Sequence, residues 1–405
     1  MSVLRSVGNE AKELWGGGEG RFLVVIASGW GILLGTRMIY PVLLPYLRSS
    51  FDLSLTVAGL LVTVLWLGSA LGQLPGGVLA DRYSERLVMV VGAVVVALAL
   101  VLVVVAPTSL LLFAATGVVG LGLSLYPIAR ITILSEIYPD RIGSALGVTM
   151  ATGDLGQTVL PPVAGLLAAT VAWQAGLGFI VPLLLLIGVV LWAVLPPATP
   201  SESPMDSLST GSVGYVVGKL RQSNMAFVAF ILFLYILIWQ SFTGFYPTYL
   251  VEEKGLSSST AGLLFSVFFA FGVVVKPVAG GAYDRIGMRS SLVLVLVGPV
   301  AGFVLLPFVD GFWPLAVITA LVSTMLGSGA ITQSFLSDSI PADIRGTGLG
   351  MVRTTAATLG AAGPVLFGSI ADRGYFDEGY VLLGAVTVAV ILLTLRLPKS
   401  APSSS

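Results

Sequence analysis

Lys276-Pro277-Val278-Ala279-Gly280-Gly281-Ala282-Tyr283-Asp284-Arg285-Ile286-Gly287-Met288-Arg289 runs from inside an apolar segment to its charged end. An earlier stretch follows the same plan: Gln73-Leu74-Pro75-Gly76-Gly77-Val78-Leu79-Ala80-Asp81-Arg82-Tyr83-Ser84-Glu85-Arg86. The two Asp-Arg pairs stand 203 positions apart in a chain of 405 residues. A period of half the chain reads as one unit duplicated. Two more pairs of stretches repeat in the same order. Leu53-Ser54-Leu55-Thr56-Val57-Ala58-Gly59 matches Leu256-Ser257-Ser258-Ser259-Thr260-Ala261-Gly262, and Ser135-Glu136-Ile137-Tyr138-Pro139-Asp140-Arg141 matches the run from Ser337 to Arg345.

Composition says what kind of unit this is. Hydrophobic residues make up 56% of the chain and charged residues 10%, with a mean hydropathy of +1.00. A soluble domain carries about 25% charge, so the chain reads as a membrane protein. A spanning helix needs about 20 apolar residues. Charges, prolines and Gly-Ser clusters divide the chain into about twelve such segments: 22–47, 55–80, 87–106, 109–137, 144–170 and 174–195, then 224–250, 257–282, 290–308, 312–338, 347–371 and 379–396. The expected fold is therefore an all-α membrane protein, with twelve transmembrane helices in two pseudo-symmetric six-helix bundles, 22–195 and 224–397. Residues 1–21 read as a cytosolic tail without the apolar core of a signal peptide. Residues 196–223, opening Pro196-Pro197-Ala198-Thr199-Pro200, read as a cytosolic linker, with a surface helix possible at Tyr215–Arg221. Residues 398–405 read as a tail. With both termini on the cytosolic side of the cytoplasmic membrane, roughly thirteen cations fall on that side against Arg48, Lys254 and Arg373 outside, the bias that orients membrane proteins.

The formal net charge is zero, which gives no footing for nucleic acid. There is no cysteine and no histidine, so thiolate metal sites, disulfides and the usual proton-transfer base are excluded. No metal cluster, phosphate loop or activated nucleophile is visible, so no enzyme and no cofactor is expected. Proton chemistry would have to run on carboxylates.

The repeated loop resembles the signature of the major facilitator superfamily, Gly-x-Leu-Ala-Asp-Arg-x-Gly-Arg-Arg, between helices 2 and 3. Here it stands as Gly77-Val78-Leu79-Ala80-Asp81-Arg82-Tyr83-Ser84-Glu85-Arg86, with Ser84 in place of glycine and Glu85 in place of a base. The second copy keeps Asp284, Arg285, Gly287 and Arg289. The resemblance covers all but the tails. It implies alternating access by two rocking bundles, and a gating role for these loops. Asp81 would lie near the start of helix 11, favoured there by the helix dipole. Arg82 and Arg86 would pair with acids such as Glu136, and Asp284, Arg285 and Arg289 would lie near helix 5 and Asp338. Plain positive-inside anchoring is the competing reading of the same charges.

Five ionisable residues lie well inside apolar segments: Arg37, Arg130, Asp154, Lys276 and Arg353. Each costs roughly 2.5–3.5 kcal/mol at a helix centre, so such residues face a wet cavity or each other. At about 1.5 Å per residue, Arg130, Lys276 and Arg353 lie roughly 10–12 Å from the cytosolic helix ends, Asp154 at about 16 Å and Arg37 at about 22 Å. Four cations against one anion favour an anionic substrate. Lys276-Pro277-x-x-Gly280 resembles the Arg-Pro-x-x-Gly stretch of monocarboxylate and oxalate-type carriers, which implies that Lys276 contacts a substrate carboxylate and that Arg353 is a second clamp. Asp154 either ion-pairs with Arg37 in the same bundle or takes up a proton, and the two are compatible. For Arg130, substrate contact competes with packing against Tyr126. Tyr40 and Tyr246, each beside a proline, are cavity candidates, while Trp30 and Trp239 read as belt or packing residues.

The leading expectation is a secondary transporter, acting as a monomer, for a small organic anion such as a carboxylate, with the proton as candidate coupling ion. A proton-driven drug or metabolite exporter is the alternative. Helix 5 carries a degraded form of the drug-antiporter glycine pattern in Gly147, Gly156, Pro161 and Pro162. From another class, a transporter-shaped sensor would bind without moving anything.

Overall fold

The structure is a computed structural model that describes residues 18–196, 225–339 and 345–396. Nearly all of the expected tails and linker, including Tyr215–Arg221, lie outside these ranges. The first half comprises α1 (Gly20–Phe51), α2 (Leu55–Leu71), α3 (Gln73–Arg82), α4 (Glu85–Val104), α5 (Ser109–Ser124), α6 (Tyr126–Ile137), α7 (Ile142–Thr170), α8 (Trp173–Gly178) and α9 (Ile180–Val194). The second comprises α10 (Met225–Glu252), α11 (Ser258–Leu305), α12 (Phe312–Ser323), α13 (Gly327–Ser339), α14 (Arg345–Gly360), α15 (Gly363–Ala371) and α16 (Phe376–Thr394). No strand occurs among the described residues.

Nine helical runs among them are long and apolar enough to cross a membrane, and one, Ser258–Phe308, holds two of the expected segments. The break between those two is Gly287, whose φ of 72° lies in the left-handed region that favours glycine. Its counterpart 203 positions earlier is Ser84, with an extended φ of 175° and a side chain that accepts from the Leu87 amide at the start of α4. So the departure of the first loop from its signature has a structural consequence: a serine cap replaces a glycine turn. Ser54 and Ser257, also 203 apart, cap α2 and α11 in the same way, accepting from the amides of Val57 and Thr260.

Expected segments 55–80 and 109–137 are each broken near the middle, at Gly72 and Leu125. The breaks lie where the two segments cross, for a methyl added at Gly72 would overlap the Ser124 hydroxyl.

The halves meet along two seams related by the repeat. At one, Gly165 of α7 packs on the Ser258 carbonyl oxygen of α11; at the other, Gly368 of α15 packs on the Leu55 carbonyl oxygen of α2. Gly262 against the Pro161 carbonyl oxygen and Gly59 against the Pro364 carbonyl oxygen repeat the correspondence. The same end of the molecule carries an ion pair between Arg48 and Glu252. There too, Asp372 accepts from the Leu55 amide at 3.0 Å and from the Thr56 hydroxyl at 2.8 Å. By the charge bias of the sequence this is the end expected to face outward. At the opposite end Arg82, Glu136, Asp284 and Arg285 are exposed.

Candidate functional site

Trp30 and Arg37 are seven residues apart and so share a face of α1. Each makes a cation–ring contact with another helix. The Arg37 guanidinium carbon lies 4.1 Å from the Trp66 ring centre on α2, and that of Arg130, on α6, lies 4.1 Å from the Trp30 ring centre. Trp30 also stacks on Tyr126 at 6.3 Å. Arg130 is only 6% exposed and donates from Nη1 to the Thr149 hydroxyl of α7 at 2.6 Å. A desolvated cation–π contact is worth about 2 kcal/mol, enough to offset much of the burial of a guanidinium. It engages the flat face and leaves the N–H edges to hydrogen-bond partners. The Nε of both arginines is buried without a hydrogen-bond partner. Trp66 in turn meets Trp239 of α10 at 5.0 Å and 73°, a contact between the halves.

The other buried charges do pair. Lys276 Nζ donates to Asp154 Oδ1 at 2.5 Å, joining α11 to α7 across the seam, and Gln157 Nε2 donates to the same oxygen at 3.3 Å. Their side chains are 28% and 10% exposed for Lys276 and Asp154. This corrects the expected Arg37–Asp154 pair. The α7 face turned to α1 is made by Gly153, against Trp30 and Leu34, and by Gly156, against the Gly31 carbonyl. Asp154 lies about 100° round from Gly153 and so points to α11 instead.

Arg353 donates from Nη1 to Gln333 Oε1 at 2.8 Å and is exposed. The Tyr40 hydroxyl meets Thr116 at 3.5 Å, that of Tyr126 donates to the Ile26 carbonyl at 2.9 Å, and that of Tyr246 bonds Thr319. All three tyrosines are buried inside their own halves, with hydroxyls already engaged, so none is presented to the space between the halves.

Arg86 donates to the Leu195 carbonyl at 3.0 Å and stacks at 4.0 Å on Trp192, rather than on Glu136. Arg82 lies 5.7 Å from the Tyr83 ring centre. Arg289 lines a shallow groove with Val293, Leu294, Val297 and Leu395. The side chains of Asp81 and Asp338 fall outside the described residues.

Among the described residues, then, Arg37, Arg130 and Arg353 have no carboxylate partner, while the one mid-membrane acid is taken by Lys276. The sequence reading missed Trp66 and treated Trp30 and Trp239 as belt or packing residues. The signal was there: belt tryptophans sit at helix ends, and Trp66 sits mid-helix opposite a mid-helix arginine.

The sequence profile of the Major Facilitator Superfamily matches residues 25–332 and 228–405. The chain is 27% identical to a hexuronate transporter of Bacillus subtilis, over 88% of this chain and 89% of that one. It is 26% identical to a probable sulfoacetate transporter of Cupriavidus necator, over 86% and 87%. A solved structure of a point mutant of the nucleoside transporter NupG superposes with a TM-score of 0.78 over 93% of this chain and 98% of that one, at 13% identity.

Proposed function

The chain belongs to the major facilitator superfamily, a family of multi-pass membrane transporters rather than enzymes, and from that premise we propose that it carries a small organic anion, of the carboxylate class, by alternating access. The observation that carries this reading is the pair of guanidiniums, Arg37 and Arg130, held on tryptophan rings in apolar surroundings with buried Nε–H groups unspent. A buried donor without a partner costs about 1–3 kcal/mol, and an anion arriving at the free edge removes that cost with a charge-assisted bond. The names of two relatives, carriers of hexuronate and sulfoacetate, agree in charge. A cation exporter would need a spare acid, and Asp154 is engaged.

Asp154 and Lys276 supply the coupling. With Asp154 ionised, Lys276 is neutralised and the seam is held. A proton on Asp154 releases Lys276, whose charge then faces the substrate, so proton and monoanion enter together with no net change of charge at the site. Arg353, exposed and bonded to Gln333, adds a third positive group on the path. The closed end is the outer one and the chain faces inward. Arg82, Arg86, Asp284, Arg285 and Arg289, with Asp81, Glu136 and Asp338, are the groups that close the inner end when the outer one opens.

Counterflow in liposomes tests the reading. Labelled carboxylate should exchange against unlabelled carboxylate inside, and Asp154→Asn should keep exchange while losing accumulation driven by a proton gradient. Accumulation that persists in Asp154→Asn would remove the proton role, and binding without exchange would make the protein a sensor.

A further inference from the structure

At the 203-residue offset the counterparts of Arg86 and Trp192 are Arg289 and Leu395. In the first half the two side chains touch: the Arg86 guanidinium carbon lies 4.0 Å from the Trp192 ring centre, and Nη1 donates to the Leu195 carbonyl at 3.0 Å. The second half keeps the arginine and loses the ring. Where the indole sits in the first half, the second has a groove lined by Arg289, Ser290, Val293, Leu294, Val297 and Leu395. Arg289 has no hydrogen bond, ion pair or ring contact among the described residues. The counterpart of Leu195 is Pro398, which lies outside them.

The groove is charged at one end and apolar along the rest. Arg289, Val293 and Val297 follow one another at four-residue steps and so share a face of α11. The apolar stripe therefore runs about 12 Å from the cation towards the membrane interior. Leu294 and Val297 are exposed, and none of the six lining residues is acidic. Arg396, next after Leu395, is exposed as well and adds a second cation at the same end. By the charge bias of the sequence that end faces the cytosol. A free phosphate matches the cations but leaves the apolar stripe bare, and a zwitterionic lipid brings a positive group of its own towards two others.

We propose that this groove holds one anionic phospholipid of the cytosolic leaflet, its phosphate on Arg289 and Arg396 and an acyl chain laid along Val293, Leu294 and Val297. Basic pockets between spanning helices on the cytosolic side take such headgroups. The site is built from α11 and the end of α16 alone, so it belongs to the second half and does not depend on what is transported. In the inward-facing form, with the inner end open, Arg289 is available to the headgroup. The first half has no matching site, because Trp192 fills the space and Arg86 is spent on the protein itself.

Native mass spectrometry of the purified full-length protein, titrated with dioleoyl phosphatidylglycerol or dioleoyl phosphatidylcholine, tests this. The first phosphatidylglycerol bound should half-saturate at a concentration at least about tenfold lower than the first phosphatidylcholine. Arg289→Gln removes the charge, and Leu395→Trp fills the groove as Trp192 fills its counterpart. Each variant, checked for a cooperative melting transition, should cut that ratio to about threefold or less. Equal binding of the two lipids by the unaltered protein overturns the proposal. So does a preference that survives in both variants, since the headgroup is then held elsewhere. If inorganic phosphate raises the melting temperature as much as phosphatidylglycerol does, the site takes a free anion and the lipid reading falls. A dimer of the unaltered protein that Leu395→Trp dissociates gives the groove to a second copy and overturns it too. The comparison of the two lipids on the unaltered protein decides the matter even if a variant fails to fold.

Discussion

Lys276 and Asp154 sit in apolar helices of opposite halves, and burying such a pair adds little to stability, because the desolvation of two charges consumes what their attraction returns. Losing one partner is different: a charge is left stranded, at about 3–5 kcal/mol in buried cases. Lys276→Met should therefore lower the melting temperature of the purified protein, and adding Asp154→Asn should restore much of it. If the pair couples transport, the double variant recovers stability but not proton-driven accumulation. Recovery of both would mark the pair as structural. The repeat supports the functional side, for the counterparts of Lys276 and Asp154 at the related seam are Gln73 and Ala357, and that seam closes without them. The cations themselves were legible in the sequence, since a charge inside an apolar run is costly and so announces itself. Their partners were not, because the direction of Asp154 depends on which glycines of α7 pack against α1.

Among the helices, glycines set how closely backbones approach. A methyl at Gly156 would overlap the Gly31 carbonyl oxygen, whereas Gly147, on the same helix, has open space around it. Gly156→Val should thus sharply reduce the yield of monodisperse protein in detergent, and Gly147→Val should leave it unchanged. Equal effects would refute the α1–α7 packing. At the outer end Asp372 is held below the ordinary carboxylate range: slight burial pushes it up, but hydrogen bonds from Thr56, Ser54 and the amides of Leu55 and Thr56 outweigh that. Since the folded protein favours the ionised form, the bond persists at all pH values above the ordinary range and is lost only as the pH falls through the depressed value. Asp372→Asn should loosen the outer end at neutral pH, seen as faster labelling of a cysteine placed at Thr63. Unaltered labelling would show that the glycine contacts alone keep it shut. The serine caps of α2 and α11 could be read from the sequence, each a serine ahead of an apolar run. The breaks at Gly72 and Leu125 could not, because they answer to a crossing partner rather than to local propensity.

For the molecule as a whole, the duplication was plain in the loop signature, yet the conformational state was not, because one sequence must serve both the inward- and outward-facing forms. The closed outer end predicts that Thr63→Cys and Val365→Cys will cross-link, since the Val365 amide donates to the Thr63 hydroxyl at 3.3 Å and the chain has no cysteine of its own to interfere. Oxidation of that pair should arrest exchange and reduction restore it. A cross-linked protein that still exchanges would mean the halves do not rock.

The central claim is that guanidiniums seated on tryptophan hold an organic anion between the halves, and the most direct test is saturable exchange of a labelled carboxylate in liposomes, compared between the unaltered protein and Arg130→Gln. Exchange in the first, lowered at least about tenfold in the second for loss of one charge-assisted bond, is the predicted result. Equal exchange by the two proteins would contradict it.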